Sequence, residues 1–271
     1  MSAYLFIRQN RLTNHARLIF NGKTDRKCWT WTGTAEGVKL CVKLAGEAGE
    51  KARVFQILEK GGIPASVWQL DDLINADSVK TKSMAGQISF RGYCFRRGIR
   101  PDGNGHEIQR LRERIKILQG LSIGEDGEEK ASSKKLFNSL EYEKGQIFYE
   151  YNSEIWKKAR CMPIPEELIR IQTTRQPKAY YILRAVCIQK FINLSRSAAD
   201  SLSVKSILTK CPFADSAISH KRHVDSIEKT LNQCGFLVWD WRDGKKSMIE
   251  FAWDYPLKPA KNDEPTNETT A

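Results

Sequence analysis

The sequence predicts an α+β protein in which one order of helices followed by a β-hairpin occurs twice. The pattern is clearest from Ala179 to Trp253, where three helical segments precede two aromatic strands around Asp243-Gly244. An Asp-Gly turn between aromatic and β-branched runs is a strong hairpin signal. A weaker copy of the same order lies upstream. Two tandem winged helices, each a helix-turn-helix with a β-hairpin wing, are the predicted fold, and the second is the clearer of the two.

Local signals define the helices of the second copy. The run from Ala179 to Ile192 is apolar enough for a buried helix. Ser203 is expected to cap a short helix from Val204 to Lys210 through its hydroxyl. A third helix is predicted from about Ser219 to Cys234, with Gly235 stopping it in a left-handed conformation. Its apolar stripe at helical spacing consists of Val224, Ile227, Leu231 and Cys234.

The same signals predict the first copy, although the offset between corresponding residues of the two copies varies by one or two. Helices are expected at 50–60, at 67–74 and from His106 to Gln119, where the 3-4-3 apolar spacing recurs at Ile108, Leu111, Ile115 and Leu118. The glycine- and arginine-rich stretch 90–100 leads into turn residues at 101–105.

Two strands are then expected in the first copy, around 120–123 and at 146–151. The polar stretch 128–144 between them is predicted to be a long mobile wing. Upstream, Trp29 to Thr32 alternates like a strand. A half-buried edge strand is favoured there over an aromatic platform that stacks on bases.

The predicted organisation has five parts. Pro163 and Pro165 are expected to hold the linker extended. The parts are an unassigned N-terminal segment (1–45), a first winged-helix domain (46–156), a linker (157–177), a second winged-helix domain (178–256) and a disordered tail (257–271).

Composition indicates a basic chain that packs a core. The 271 residues are 41% hydrophobic and carry a formal net charge of +12, with a pI near 9.4. Such a charge is typical of nucleic-acid binders. No run of about 18 apolar residues is present, so no membrane span or membrane partner is expected. Seven scattered cysteines and the lack of a secretory signal favour reduced thiols in the cytoplasm.

Three groups of side chains are predicted to contact DNA. On the third helix of the second copy, Arg222 is placed for a base edge or a phosphate and Lys229 for a phosphate further along. For any single residue, an ordinary solvated face is about as good an explanation. The full set is Lys221, Arg222, Asp225, Ser226 and Lys229 on that helix, Arg242, Lys245 and Lys246 at the hairpin, and His106, Gln109 and Arg110 in the first copy.

The wing of the first copy is predicted to be acidic, at Glu125, Asp126, Glu128 and Glu129. Carboxylates make a poor phosphate clamp, so this wing is hypothesised to face a partner subunit. Dimerisation that survives charge reversal there would count against the idea.

Catalytic and metal-binding motifs are not found. His220 and His223 have an H-x-x-H spacing without a second ligand pair, and Cys28 and Cys41 are too far apart for a zinc knuckle. A phosphate-binding loop, a dinucleotide fingerprint and the paired histidines of a nickase are also missing. The chain is therefore expected not to be an enzyme and to need no metal or cofactor.

Several segments resemble theta-type plasmid replication initiators built from two winged-helix domains. They are Met162 to Ile169, Leu202 to Leu208, Cys211-Pro212 and His220 to Trp241, within a region from about 90 to 255. The resemblance implies binding to repeated duplex sites at an origin and opening of adjacent DNA without cutting it. Host replication proteins and a second copy of the chain are then candidate partners.

Two other functions stay open. A transcriptional regulator with one winged helix and a ligand or dimer domain would show similar C-terminal features. A protein-binding winged-helix adaptor would carry its basic charge incidentally, and would show no DNA affinity and no salt dependence. The duplicated pattern favours the initiator.

Overall fold

The computed structural model describes residues 4–17, 22–35, 38–59, 62–101, 105–125, 134–157, 159–172, 175–196, 199–211 and 219–253. Helices combine with sheets whose strand pairs are all antiparallel among these residues, as in an α+β protein. The N-terminal elements are β1 (Tyr4–Gln9), α1 (Arg11–Ala16), β2 (Gly22–Asp25), β3 (Thr30–Ala35), β4 (Val38–Leu44) and α2 (Ala48–Glu59).

The remaining elements fall into a middle part, a connection and a C-terminal part. The middle part comprises α3 (Ala65–Thr81), β5 (Ala85–Ser89), α4 (Phe90–Arg97), α5 (Gly105–Gln119), β6 (Leu121–Glu125), β7 (Lys134–Lys135), β8 (Phe137–Glu143) and β9 (Gln146–Tyr151). The connection comprises α6 (Ser153–Trp156), β10 (Arg160–Pro165) and α7 (Glu166–Arg170). The C-terminal part comprises α8 (Pro177–Arg196), β11 (Ser201–Ser203), α9 (Val204–Leu208), α10 (His220–Asn232), β12 (Val238–Trp241) and β13 (Met248–Ala252).

The middle and C-terminal parts contain units with the same topology. In each, a long helix leads to a short strand, a short helix, a third helix and a hairpin. The first strand pairs with the last, giving the orders β5-β9-β8 and β11-β13-β12. The last residue of the first strand caps the second helix in both: Ser89 Oγ accepts from the Gly92 N–H at 3.0 Å, and Ser203 Oγ accepts from the Ser206 N–H at 3.1 Å. We call them the first unit (65–151) and the second unit (177–252).

The first unit corrects several sequence predictions. Its leading helix is α3, 17 residues long, where only 67–74 was expected, and its second helix is α4, where only a glycine- and arginine-rich stretch was seen. The helix predicted at 50–60 is α2, which precedes the unit and contacts β2 and β4. Burial of Tyr93 and Cys94 explains why α4 forms against a sequence with weak helical signals.

The strand after α5 belongs to a different sheet. β6 pairs with β4, and the full order of that sheet is β2-β3-β4-β6-β7. The hairpin of the first unit is instead β8–β9, with positive φ at Lys144 and Gly145 in its turn. From residue 134 onward, the predicted loop 128–144 is therefore mostly strand. Glu125 ends β6 opposite Leu40, and the other predicted acids of the wing, Asp126, Glu128 and Glu129, lie outside the described residues.

The N-terminal residues form most of that five-stranded sheet. β3 lies between β2 and β4, so the prediction of an edge strand was wrong. Trp31 is 1% exposed and belongs to the core, and the Trp29 ring packs edge-on against Phe55 with centroids 5.7 Å apart. Both indoles are committed to packing, which argues against a base-stacking platform.

The connection between the units is packed into the fold. β10 pairs antiparallel with β1, so the stretch that contains Pro163 and Pro165 is extended, as its prolines predict. Met162 and Ile164 are fully buried, and so are Leu168 and Ile169 of α7. β10 and α7 thus contribute apolar side chains to the core rather than lying as a linker on the surface.

The second unit follows its sequence signals closely. The three predicted helices appear as α8, α9 and α10, and the two strands as β12 and β13. The helix stop differs from the prediction: Gly235 does not have positive φ, and the α10 C-cap is Gln233 in a right-handed conformation. In the hairpin turn it is Lys246, rather than Gly244, that has positive φ, at 53°.

Two glycines give a matched test of this packing. A Cβ at Gly22 would overlap the Trp31 indole and the Thr32 carbonyl oxygen, whereas a Cβ at Gly49 of α2 meets nothing within 4 Å. We expect Gly22→Ala to destabilise the protein by about 1–3 kcal/mol, because the fully packed indole cannot yield. Gly49→Ala should be neutral or stabilise by up to about 1 kcal/mol. Urea denaturation measures both, and equal midpoints would contradict the packing around Trp31.

Candidate nucleic-acid interface

The third helix of the second unit is fixed by its apolar face. His223, Val224, Ile227 and Leu231 are buried, and α10 packs against α8 and α9. The side chains on the other side are exposed, namely His220, Lys221, Arg222, Asp225 and Lys229. Ser226 is half-buried, and its carbonyl accepts from the Thr230 hydroxyl at 2.8 Å.

The two histidines of the H-x-x-H spacing lie on different sides of α10. His220 is exposed, whereas His223 is buried, with 7% exposure. The two imidazoles are therefore not presented together as a ligand pair. In the part of the chain that the structure describes, no group of three or more His, Cys, Asp or Glu side chains could hold a metal.

The hairpin of the second unit is tied to α10 through Glu228. The Glu228 carboxylate accepts from Lys246 Nζ at 2.5 Å and from Trp241 Nε1 at 2.8 Å. The hydrogen bonds from Lys246 and then Trp241 lower the pKa of Glu228 below its ordinary value. The hairpin is thereby held against the helix whose outer face is basic.

The three cationic side chains of the hairpin therefore differ in whether they already form an ion pair within the protein. Lys246 is engaged with Glu228, and its ammonium lies 5.9 Å from the Trp241 ring centroid. Arg242 pairs with Glu250 at 3.4 Å on the exposed side of the sheet. Lys245 is exposed and has no ion pair among the described residues, so it is the cation best placed to reach a phosphate.

The turn geometry depends on Asp243. Its carboxylate accepts from the Ser247 N–H at 2.8 Å and from the Ser247 hydroxyl, and these hydrogen bonds lower its pKa. The Lys246 N–H donates to the Asp243 carbonyl at 3.1 Å. The Asp-Gly signal in the sequence thus marks the residue that organises the turn.

The third helix of the first unit presents its predicted residues at its N-terminal half. His106, Gln109 and Arg110 are all exposed, and Arg110 lies 3.8 Å from the buried Glu107. Glu107 faces inward, where it accepts from Arg114 at 2.6 Å and from Tyr93 at 2.7 Å. Burial, the largest cause, raises the pKa of Tyr93 and keeps this phenol a donor.

The C-terminal half of α5 faces α2. Arg53 pairs with Glu113 at 2.5 Å and Lys116 with Glu50 at 3.4 Å, across an open groove of about 690 Å³ between the two helices. Only the N-terminal half of α5 is therefore free of α2. A duplex that approaches this helix would meet His106, Gln109 and Arg110 first.

A second basic surface escaped the sequence analysis. An open cleft of about 810 Å³ is lined by Arg91, Phe95, Arg100 and Arg170, and Phe95 is 74% exposed. Arg91 and Phe95 lie four residues apart on α4, the helix before α5, on the side opposite Tyr93 and Cys94. A spacing of four residues places two side chains on one face only in a helix, so the sequence could not indicate this surface before 90–97 was known to be helical.

Two further observations bear on the class of protein. All seven cysteines are free thiols, as the sequence predicted. Among the described residues, none of the helices has the length and apolar character needed to cross a membrane.

Comparison with solved structures finds chains of similar structure, whereas comparison with protein sequences finds none. No protein-family profile matches the chain, and no curated protein sequence matches it. A solved structure described as "Crystal structure of Pi initiator protein in complex with iteron DNA" superposes with a TM-score of 0.49 at 11% identity, over 94% of this chain and 98% of that chain. At so low a TM-score and identity, the similarity assigns no function to this chain.

Proposed function

We propose that this chain is a sequence-specific duplex DNA-binding protein with two winged-helix units, and that it initiates replication of a plasmid or similar element without cutting DNA. One observation carries the DNA-binding part: α10 buries its apolar stripe, exposes a basic face and is fastened to a hairpin with basic residues at its turn. That combination lets one helix enter a groove while the neighbouring turn meets the backbone.

In the proposed complex, α10 lies in the major groove with its N-terminal half leading. Arg222 is then the base-reading candidate, because a guanidinium can bond guanine O6 and N7 together. Lys221, Lys229 and Lys245 would neutralise phosphates, which fixes register without reading sequence. Asp225 and Ser226 would modulate the contact, the carboxylate by accepting from cytosine.

The first unit is proposed to recognise a second DNA half-site through α5, with weaker contacts to the DNA phosphates. Its α5 offers His106, Gln109 and Arg110, with Arg91 of α4 and Arg100 as additional phosphate candidates. Its hairpin carries Glu141, Glu143 and Glu150 on exposed positions, so this wing is also a poor phosphate clamp. The acidic character predicted for the first wing thus recurs on different residues.

The replication role is supported by the resemblance of 162–169, 202–208 and 211–212 to plasmid initiators. Several copies bound to adjacent repeats would strain the duplex, and A·T-rich steps beside them deform at low cost. Host replication proteins and a second copy of this chain belong to the same proposal, as does the cytoplasm, where free thiols persist.

Selection of bound duplexes from a random pool, at near-physiological salt, tests the DNA-binding part. We expect an enriched motif of two adjacent half-sites, and an affinity that falls with salt by a log–log slope of about 0.9 per neutralised phosphate. A salt-sensitive affinity without a motif would reduce the protein to a non-specific binder. Complete absence of binding would overturn the proposal in favour of a protein-binding adaptor.

The replication part needs its own assay. A plasmid whose sole origin is the selected repeats beside an A·T-rich tract should be maintained only in cells that supply this chain. Supercoiled substrate incubated with the protein and Mg²⁺ should stay unnicked. Repression of a promoter at the same repeats, without plasmid maintenance, would indicate a transcriptional regulator instead.

A further inference from the structure

A buried cluster of charges lies where the two units meet. The Arg17 guanidinium contacts the carboxylates of Asp71 and Asp72 at 2.5 and 2.6 Å, and Arg184 contacts Asp72 at 3.1 Å. All four side chains are at most 4% exposed. Two guanidinium groups thus face two carboxylates, and the cluster is balanced in charge. Arg17 also stacks 5.3 Å from the centroid of the Trp68 ring.

Two buried phenols complete the cluster. Tyr151 donates to Asp71 Oδ1 at 2.9 Å, and Tyr180 donates to Asp72 Oδ2 at 2.7 Å. Burial, as the largest cause, raises the pKa of both phenols well above the ordinary value, so both remain donors.

The members of the cluster come from different parts of the chain. Asp71 and Asp72 belong to α3 and Tyr151 to β9, all in the first unit, whereas Tyr180 and Arg184 belong to α8 of the second unit. The Asp72 carboxylate therefore connects the units. Its Oδ1 accepts from Arg17, the C-cap of α1, and its Oδ2 accepts from both Tyr180 and Arg184.

The buried ion pair between Arg184 and Asp72 is not expected to add much to the free energy of unfolding. Arg184 is 3% exposed, yet its Nε and Nη2 have no hydrogen-bond partner within the described structure. A buried guanidinium with unused donors carries a desolvation cost, and an apolar side chain of similar volume is often more stable at such a position. The ion pair instead fixes the position of α8 relative to α3, because its energy depends on the distance and orientation of the two groups. Apolar surfaces tolerate small slides, but a shift of α8 against α3 would leave Arg184 and Asp72 as separated charges in a medium of low dielectric constant.

We propose that Asp72, through Tyr180 and Arg184, is the positioning residue that fixes the distance and rotation between α5 and α10, and thereby the spacing of half-sites that one molecule binds. The inference rests on the proposed function. One extra base pair moves a half-site by about 3.4 Å and about 34° around the duplex. If the two units are held rigidly, α5 and α10 cannot both reach their half-sites after such a displacement. One of the two helix–DNA contacts is then lost, together with its contribution to avidity.

Two conservative substitutions separate positioning from simple stability. Tyr180→Phe removes the phenol–carboxylate hydrogen bond to Asp72. Tyr151→Phe removes the one to Asp71, together with a 3.1 Å contact to the Asp71 carbonyl oxygen, but only the bond to Asp72 crosses between the units. Affinities are measured for duplexes with the selected spacing and with one base pair more or less. We expect the parent protein and Tyr151→Phe to prefer the selected spacing by about tenfold or more, and Tyr180→Phe to reduce that preference to about threefold. Affinity for an isolated half-site should stay unchanged in both variants.

A stronger variant and a DNA-free measurement complete the test. Asp72→Asn combined with Arg184→Gln removes one charge of each sign and should relax the spacing further. Spin labels at Lys116→Cys on α5 and Lys229→Cys on α10 report the distance between the helices without DNA. Their distance distribution should broaden in Tyr180→Phe and not in Tyr151→Phe. The labelling background lacks the exposed and half-buried thiols, namely Cys28, Cys41, Cys161 and Cys234.

The outcomes distinguish this inference from the proposed function. Unchanged spacing preference and unchanged distance distribution in Tyr180→Phe would overturn the positioning role even if the parent protein binds DNA tightly. Equal changes in the two tyrosine variants would assign the cluster to general stability and overturn it as well. A parent protein that does not bind DNA would refute the proposed function, while the distance distributions would still decide whether Asp72 holds the two helices in a fixed relation.

Discussion

Replacing Arg17 with alanine is expected to destabilise the protein by about 3–5 kcal/mol. Arg17 is 3% exposed and sits between the carboxylates of Asp71 and Asp72. Burial tends to lower the pKa of Arg17, but Asp72 and then Asp71 more than offset it, so the guanidinium stays charged. Without it, two buried carboxylates are left with Arg184 alone, and one negative charge is uncompensated. Urea denaturation followed by circular dichroism measures the loss.

Arg26→Ala is the matched control for that experiment. Arg26 also pairs with a carboxylate, Glu59 at 2.8 Å, but its side chain is 70% exposed. Solvent screens such a pair, and its removal should leave the denaturation midpoint unchanged. A similar loss in both variants would mean that the Arg17 cluster is effectively solvated, and it would remove the physical basis for the positioning role of Asp72.

Local signals in the sequence were sufficient for the three helices and the hairpin of the second unit, although not for β11 or for the end of α10. Ser203 caps α9 as expected, and α10 keeps the predicted stripe of Val224, Ile227 and Leu231 inside. These features depend on interactions within a few residues, which periodicity and capping chemistry report directly. The hairpin after α10 follows for the same reason.

The first unit was harder because its elements depend on distant partners. α4 forms around Tyr93 and Cys94 and is held by Arg97, which donates to the Ile169 carbonyl at 2.7 Å, 72 residues away. β6 pairs with β4 across about 80 residues of sequence, so it could not be assigned to a sheet from its own composition. Tertiary context overrode the local glycine and turn signals at 90–101.

The charged cluster was invisible to the sequence for a related reason. Asp71 and Asp72 lie within the short helix predicted at 67–74, and no local signal marks them as buried, yet α3 is buried on nearly all sides. Charged residues are rarely buried unless they are paired, and their partners Arg17 and Arg184 lie more than 50 residues away in either direction. The tie between Lys246 and Glu228 was missed in the same way, because it joins a turn to a helix.

Neutralising the outer face of α10 is expected to have the largest effect on DNA binding. The triple variant Lys221→Gln, Arg222→Gln and Lys229→Gln should weaken binding to the selected site by about 100-fold or more, since it removes one base-reading group and two phosphate contacts. The slope of log affinity against log salt should fall by about 2, because two fewer phosphates are neutralised. Fluorescence anisotropy across a salt series measures both quantities.

The N-terminal sheet offers a control of equal charge. Lys23, Lys39 and Lys43 are exposed on one face of that sheet, where they are interleaved with Thr30, Thr32 and Thr34 by the strand register. Their replacement by glutamine also changes the formal net charge from +12 to +9.

If long-range attraction by the basic chain governs binding, the two triple variants should lose affinity equally. If α10 forms the contact, the sheet variant should keep its base preference and nearly all of its affinity, because exposed charges beyond about 10 Å are screened. Equal losses would therefore refute α10 as the reader, and no loss in either variant would refute the DNA interface.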